Sequence, residues 1–174
     1  MRKGFTLVEI LVTITVFAIV ITAFFGLFGS AFRNQKKNLS SISLLNETSY
    51  LSEYMSRALR MARKDLGGIC IKKKDNFEIT HDGDGIKFLD YQGNCREFFL
   101  EDEILKVSKE GVSHNLTSSV IKVEGLIFEV LGQSQTDTIQ PRITFVLDLK
   151  TTGESPQEIK LESTVSQRDL DIFR

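Results

Sequence analysis

The sequence predicts an α+β protein in which one long N-terminal helix packs on a C-terminal antiparallel β-sheet domain. The first half of that helix spans a membrane and the second half is amphipathic. Three observations carry this reading. No residue between positions 10 and 32 is charged. From 38 to 64 there is neither proline nor glycine, and Leu44, Thr48, Leu51, Met55, Ala58 and Ala62 step by three and four, the spacing of one helix face. After Gly68 the chain changes to short alternating runs separated by turn residues, the pattern of antiparallel strands.

The chain opens with Met1-Arg2-Lys3-Gly4, and an apolar run starts abruptly at Phe5. As a helix rising about 1.5 Å per residue, residues 10–32 reach roughly 35 Å, enough to cross a hydrocarbon core of about 30 Å. The run is rich in Ile, Val, Phe and Thr, yet its length excludes an ordinary buried strand. Glu9 lies one turn inside it, where a carboxylate facing lipid costs about 2.5 to 3.5 kcal/mol unless neutralised or paired. Two simpler readings compete. A secretory signal cleaved near Gly29-Ser30-Ala31 would have a core of about 7 to 15 residues and no acid at its start. A plain single-pass anchor explains the length but leaves Glu9 without a use.

The stretch Lys3-Gly4-Phe5-Thr6-Leu7-Val8-Glu9 resembles the processing signal of type IV prepilins and type II secretion pseudopilins. The resemblance implies cleavage between Gly4 and Phe5 by a prepilin peptidase on the cytoplasmic side. It implies methylation of the new terminus, making Phe5 N-methylphenylalanine, and gives Glu9 the part of the family's buried glutamate, an assembly residue. The implied partners are other pilin or pseudopilin subunits in a hetero-oligomeric filament, the peptidase, an inner-membrane assembly platform and the lipid bilayer. The implied location is the cytoplasmic (inner) membrane of a bacterium, crossed once, with the C-terminal domain extracytoplasmic and the protein later in a filament. The segments are then a leader 1–4, a transmembrane and filament-core helix 5–32, its amphipathic continuation 33–65, a β-sheet domain 66–166 and a polar tail 167–174.

Gly26 and Gly29 interrupt the apolar helix, each costing about 1 kcal/mol relative to alanine. Many pilins have proline where this chain has Gly26, a departure that favours a pseudopilin or minor subunit. Arg33, Lys36 and Lys37 close the anchor and outnumber Arg2 and Lys3. The positive-inside count therefore does not supply the proposed orientation; the leader and its peptidase do. Further on, Glu53 and Arg57 form an i,i+4 pair of favourable order, and Arg57, Arg60, Arg63 and Lys64 suit the negative end of the helix dipole. Gly67-Gly68 stop the helix, which is expected to run continuously over residues 5–65, about 90 Å.

Strands are expected at 69–72 and 77–80. Residues 77–80 and 86–89 read as a hairpin around His81-Asp82-Gly83-Asp84-Gly85. That turn has the acid–glycine texture of a calcium loop but lacks the later ligands and closing glutamate of an EF-hand. Residues 96–100 and 104–109 flank Glu101-Asp102-Glu103 as a second hairpin. Strands at 118–123 and 126–131 lead to a polar loop, 132–140, closed by Pro141. Ile143, Phe145, Leu147 and Leu149 line one face of the next strand, and after a turn at 151–157 Ile159, Leu161, Ser163 and Val165 line the last. Residues 166–174 read as a loosely held tail. The segment from Leu116-Thr117 to Phe128, with Pro141-Arg142-Ile143-Thr144-Phe145 and Ser163-Thr164-Val165-Ser166-Gln167-Arg168, is similar to the C-terminal half of J-type minor pseudopilins and related minor pilins.

Composition narrows the chemistry. A formal net charge of −1 gives no electrostatic footing for nucleic acid. The two histidines, His81 and His114, have no ligand-like spacing to either cysteine, and no Ser/His/acid set, phosphate loop or zinc spacing can be assembled. No catalytic residue, metal or cofactor is expected, and the chain is not read as an enzyme. Cys70 and Cys95 fall in the part outside the cytoplasm, where a disulfide persists; a disulfide and two buried thiols both stay open. The expected function is that of a structural subunit, a minor pilin or minor pseudopilin of a type IV pilus-like or type II secretion filament, stored in the membrane and assembled through its helix, with a place in initiation or at the tip. The alternative is a membrane-anchored extracytoplasmic binding module that uses the helix only as an anchor.

Overall fold

The structure, a computed structural model, describes residues 4–133, 139–153 and 156–168. The start of the leader (1–3), the middle of the polar loop (134–138), two residues of the turn at 151–157 (154–155) and the end of the tail (169–174) lie outside the described residues. The chain divides into two compact units, Met1–Leu39 and Ser40–Arg174. Helix α1, Leu7–Arg60, runs through both.

In the first unit the apolar side chains are largely exposed among the described residues, from Phe5 at 80%, just ahead of α1, to Phe32 at 56%. The helix is long and apolar enough to cross a membrane. Its threonines suit that setting. Thr13 Oγ1 donates to the Glu9 carbonyl at 2.5 Å and Thr22 Oγ1 to the Ala18 carbonyl at 2.8 Å, so neither hydroxyl meets lipid unsatisfied.

In the second unit, α1 buries Leu44, Thr48, Leu51, Met55 and Leu59, the anticipated face with Leu59 in place of Ala58. The helix ends at Arg60 rather than Asp65 because the chain is drawn into sheet-like pairing. The Arg63 N–H donates to the Leu89 carbonyl at 2.9 Å, and Arg63 and Leu89 form an isolated bridge. Carbonyls at and just past the helix end find partners from far along the sequence: Arg168 N–H donates to the Arg60 carbonyl at 2.8 Å, and Gln167 Nε2 to that of Ala62 at 3.0 Å. Gln167 is buried, so the tail is held as far as Arg168, contrary to expectation.

The strands form two antiparallel sheets. β1 (Phe77–Thr80), β2 (Gly85–Leu89), β3 (Cys95–Glu101), β4 (Ile104–Lys109) and β5 (Val112–Asn115) pair in chain order, and β6 (Ile121–Leu131), β7 (Arg142–Thr151) and β8 (Glu158–Ser166) make a three-stranded sheet. A short 3₁₀ turn at His81–Gly83 joins β1 to β2. Where two strands were expected at 118–123 and 126–131, the chain forms one. Its register shifts between Val123 and Gly125, so Glu124 bulges out and the ladder continues. A side chain at Gly125 would meet Asp148 Oδ2 at 3.3 Å.

One hydrophobic core joins the helix face to both sheets, with Phe77, Phe88 and Phe98 from the first and Leu126, Phe145 and Leu147 from the second. Phe88 and Phe98 lie 5.7 Å apart between ring centroids, and Tyr54 of α1 meets Phe98 edge-on at 5.9 Å. Glu47 ties α1 to the approach to β6: its Oε1 accepts Ser118 N–H at 2.6 Å and its Oε2 the Ser118 hydroxyl at 2.8 Å.

Candidate processing and assembly site

The first helical turn is closed by a reciprocal contact. Thr6 N–H and Thr6 Oγ1 each donate to Glu9 Oε2 at 3.3 Å, and Glu9 N–H donates back to Thr6 Oγ1 at 3.3 Å. This is a capping box, with threonine at the N-cap and glutamate three residues on. The signal is present in the sequence as Thr6-Leu7-Val8-Glu9, but reading Glu9 only for its cost in lipid overlooked it. A simple anchor therefore also benefits from Glu9: the carboxylate satisfies end donors and faces the positive end of the helix dipole.

Gly4 stands just ahead of this box. A Cβ there would meet nothing within 4 Å, and the same holds at Gly26, so neither glycine answers to packing inside the chain. α1 is continuous through Gly26 and Gly29. Phe5 is exposed.

The other constellation lies where a strand was expected at 69–72. The carboxylate of Asp65, fully buried, collects five successive backbone donors. Oδ1 accepts the N–H groups of Gly67, Gly68 and Ile69 at 3.1, 2.7 and 3.1 Å; Oδ2 accepts those of Cys70 and Ile71 at 2.7 and 3.1 Å. The backbone is anchored too, Lys74 N–H donating to the Asp65 carbonyl at 2.7 Å and Asp65 N–H to that of Asp75 at 3.0 Å. A strand at 69–72 would need those amides for a ladder; the carboxylate has taken them. Gly68 supplies the left-handed turn, φ 72°, that glycine adopts without strain. Burial alone would raise the Asp65 pKa, but the amides of Cys70, Ile71, Ile69 and Gly68 outweigh it and lower it from 3.8 to about 2. The loop so formed sets Cys70 beside Cys95 at the start of β3, the two paired as a disulfide with Cα atoms 5.1 Å apart.

The remaining candidates are separate. His81 stacks on Phe99 at 5.0 Å, its Nδ1 3.5 Å from Glu97 Oε1, while His114 sits on β5, paired opposite Val107. Among the described residues no group of three or more His, Cys, Asp or Glu side chains is arranged for a metal ion. Arg57 pairs with Glu53, and Arg96 with the buried Asp90 at 3.0 Å.

A comparison with known protein families matches residues 1–25 to the prokaryotic N-terminal methylation motif. Neither the curated proteins nor the solved structures contain a significant match. The motif implies processing by a prepilin peptidase and assembly with other pilin subunits, and with the long apolar helix it indicates a membrane-anchored structural protein. At the head of a helix that continues onto antiparallel sheets, the chain carries the N-terminal methylation signal of the type IV pilin and pseudopilin family.

Proposed function

We propose that this chain is a minor pilin or minor pseudopilin of a type IV pilus-like or type II secretion filament. It is cut between Gly4 and Phe5, methylated on Phe5, and held in the cytoplasmic membrane with residues 40–168 outside. An inner-membrane platform then moves it into a hetero-oligomeric filament, in initiation or at the tip. The observation that carries this reading is the methylation motif leading into a helix whose apolar side chains between Leu7 and Phe32 are largely exposed among the described residues. Those side chains face lipid while the subunit is stored and neighbouring helices once it is assembled. Glu9 then exchanges local donors for the amine of an adjacent subunit, a charge pair weakly screened in apolar surroundings.

The capping box also supports a second reading, a tethered binding module, since it gives Glu9 a use within its own helix. Fractionation separates the two. Protein from a host carrying the peptidase is expected to have the intact mass of a chain starting at N-methyl-Phe5 and to co-sediment with sheared filaments. A mature terminus at Phe32 would instead mean secretory cleavage, and a processed chain confined to membranes would mean an anchor.

The Cys70–Cys95 bond is proposed as the state of the exported protein. Non-reducing peptide mapping from envelopes should recover the two joined, and Cys70→Ser with Cys95→Ser should lower stability by about 3 kcal/mol through the freed loop. Free thiols in envelope protein would remove the proposal.

A further inference from the structure

The disulfide joins two loops built on one short pattern. Asp65-Leu66-Gly67-Gly68-Ile69-Cys70 and Asp90-Tyr91-Gln92-Gly93-Asn94-Cys95 both read Asp-x-x-Gly-x-Cys, offset by 25 residues. The likeness extends to geometry. In each loop the glycine is left-handed, φ 72° at Gly68 and 87° at Gly93, and the aspartate is buried. In each loop the carboxylate turns back on its own amides. Asp65 takes those from Gly67 to Ile71, Cys70 among them. Asp90 Oδ1 accepts the N–H groups of Gln92 and Asn94, both at 2.9 Å, while its Oδ2 accepts from the Arg96 guanidinium at 3.0 Å. The backbone closes the second loop as well, Asp90 N–H donating to the Asn94 carbonyl at 2.9 Å and Gly93 N–H to that of Asp90 at 3.0 Å.

The loops are also joined at their roots. The Arg63–Leu89 bridge lies just ahead of both aspartates, and Leu89 pairs with Cys95 across the ladder of β2 and β3. None of these contacts uses a sulfur atom. Bridge, ladder and carboxylate clamps are all available to the chain before its cysteines are joined. Hydrogen bonds to a carboxylate are roughly twice as strong as neutral ones, and glycine enters the left-handed region without strain. Each clamp can therefore form from its own few residues.

We propose that Asp65 and Asp90 template the Cys70–Cys95 bond: each carboxylate sets the cysteine of its own loop, so that the reduced chain already holds the two thiols in contact. Both are positioning residues, acting through backbone amides. Groups on a short flexible linker meet at millimolar effective concentration; groups held in orientation exceed that by orders of magnitude. The co-reactant is a disulfide of the glutathione class. One cysteine thiolate attacks a sulfur of that disulfide, expels one thiolate and forms a mixed disulfide. The second cysteine thiolate then attacks the protein sulfur and expels the other. Two protein thiols lose two electrons and two protons, and the oxidant leaves as two thiols. Coupling is reciprocal, so removing a clamp weakens the bond against reductant. The inference rests on the disulfide proposed above as the exported state, and the two fail separately: free thiols in envelope protein remove that state, whereas the purified chain decides the templating.

The test equilibrates the full chain, in detergent micelles, with mixtures of oxidised and reduced glutathione and reads the joined fraction by mass after alkylation. Asp65→Asn and Asp90→Asn are each expected to lower the effective concentration of the thiols about tenfold or more, the effect of one charge-assisted hydrogen bond on an equilibrium. Leu147→Ala truncates the buried core at β7, in the other sheet, and should change it by less than about twofold, as an independent site does. Should Asp65→Asn not fold, the chain with Cys70→Ser and Cys95→Ser carries the decision. Hydrogen exchange is expected to find the amides of Gly67, Gly68, Ile69, Gln92 and Asn94 still protected there. Effective concentrations unchanged in both aspartate variants, or lowered equally by Leu147→Ala, overturn the proposal. So do amides that exchange freely once the sulfurs are gone, since the bond would then make the loops rather than the loops the bond.

Discussion

Asp65→Asn is expected to destabilise the second unit by about 4 kcal/mol. The substitution keeps shape and leaves one oxygen able to accept, but it puts an amide N–H₂ where the carboxylate meets the N–H groups of Cys70 and Ile71. Each buried donor left unsatisfied costs about 1 to 3 kcal/mol, and the charge that strengthened all five hydrogen bonds is gone. For a unit of this size the melting midpoint should fall by roughly 10 °C or more. Thermal unfolding followed by circular dichroism in the disulfide-bonded state reads this out. A fall of about 2 °C would mean that the loop is held by the disulfide and the Arg63–Leu89 bridge instead.

The same carboxylate makes stability depend on acid in a defined direction. Its pKa is lowered from 3.8 to about 2 on folding, so the unfolded chain takes up the proton first. The stabilisation, about 2 kcal/mol, is complete above about pH 5, declines as pH falls through 3.8, and is lost near 2. Denaturant midpoints of the wild-type protein should drop over that window, and the drop should be shallower by this amount in Asp65→Asn. Parallel profiles for the two proteins would show that other carboxylates carry the acid response.

How far the sequence revealed this arrangement depends on the range of the interactions involved. The three-four spacing of Leu44, Thr48, Leu51 and Met55 disclosed the buried helix face because a helix writes its packing locally. The alternation of Ile143, Phe145, Leu147 and Leu149 disclosed β7 in the same way. Ile69 to Lys72 looked like a strand, and only a carboxylate a few residues upstream diverts their amides. β5, Val112-Ser113-His114-Asn115, has all four residues exposed. It is bound to β4 through its backbone, so it carries no apolar period to find. Gly125 read as a gap between strands because glycine punctuates turns and bulges alike. The division into two sheets, and Gln167 reaching the Ala62 carbonyl across the sequence, are facts of tertiary pairing that no local pattern encodes. In the first helical turn one relation was missed, the contact from Thr6 to Glu9.

That relation sharpens what Glu9→Gln should do. A capping box accepts glutamine as well as glutamate at its third position, so the variant keeps the Thr6 contacts and removes only the charge. Cleavage at Gly4–Phe5, N-methylation, membrane insertion and the fold of residues 40–168 are all expected to survive. If anything the neutral side chain inserts more readily, since a carboxylate at that depth costs about 2.5 to 3.5 kcal/mol. What the variant lacks is the anion that, in the proposed assembly, pairs with the amine of a neighbouring subunit. A contact of that kind between weakly screened charges, valued at only 1.4 kcal/mol or more, changes an assembly equilibrium tenfold or more. Filament-incorporated protein should therefore fall at least tenfold while the membrane pool stays constant or rises, measured by quantitative immunoblotting of sheared filaments and membranes from the same cells. A matched loss from both fractions would indicate degradation, and Thr6→Val should then reproduce it through the opened helix end. Equal incorporation of wild type and variant would confine Glu9 to capping its own helix and leave the tethered module as the better reading of the chain.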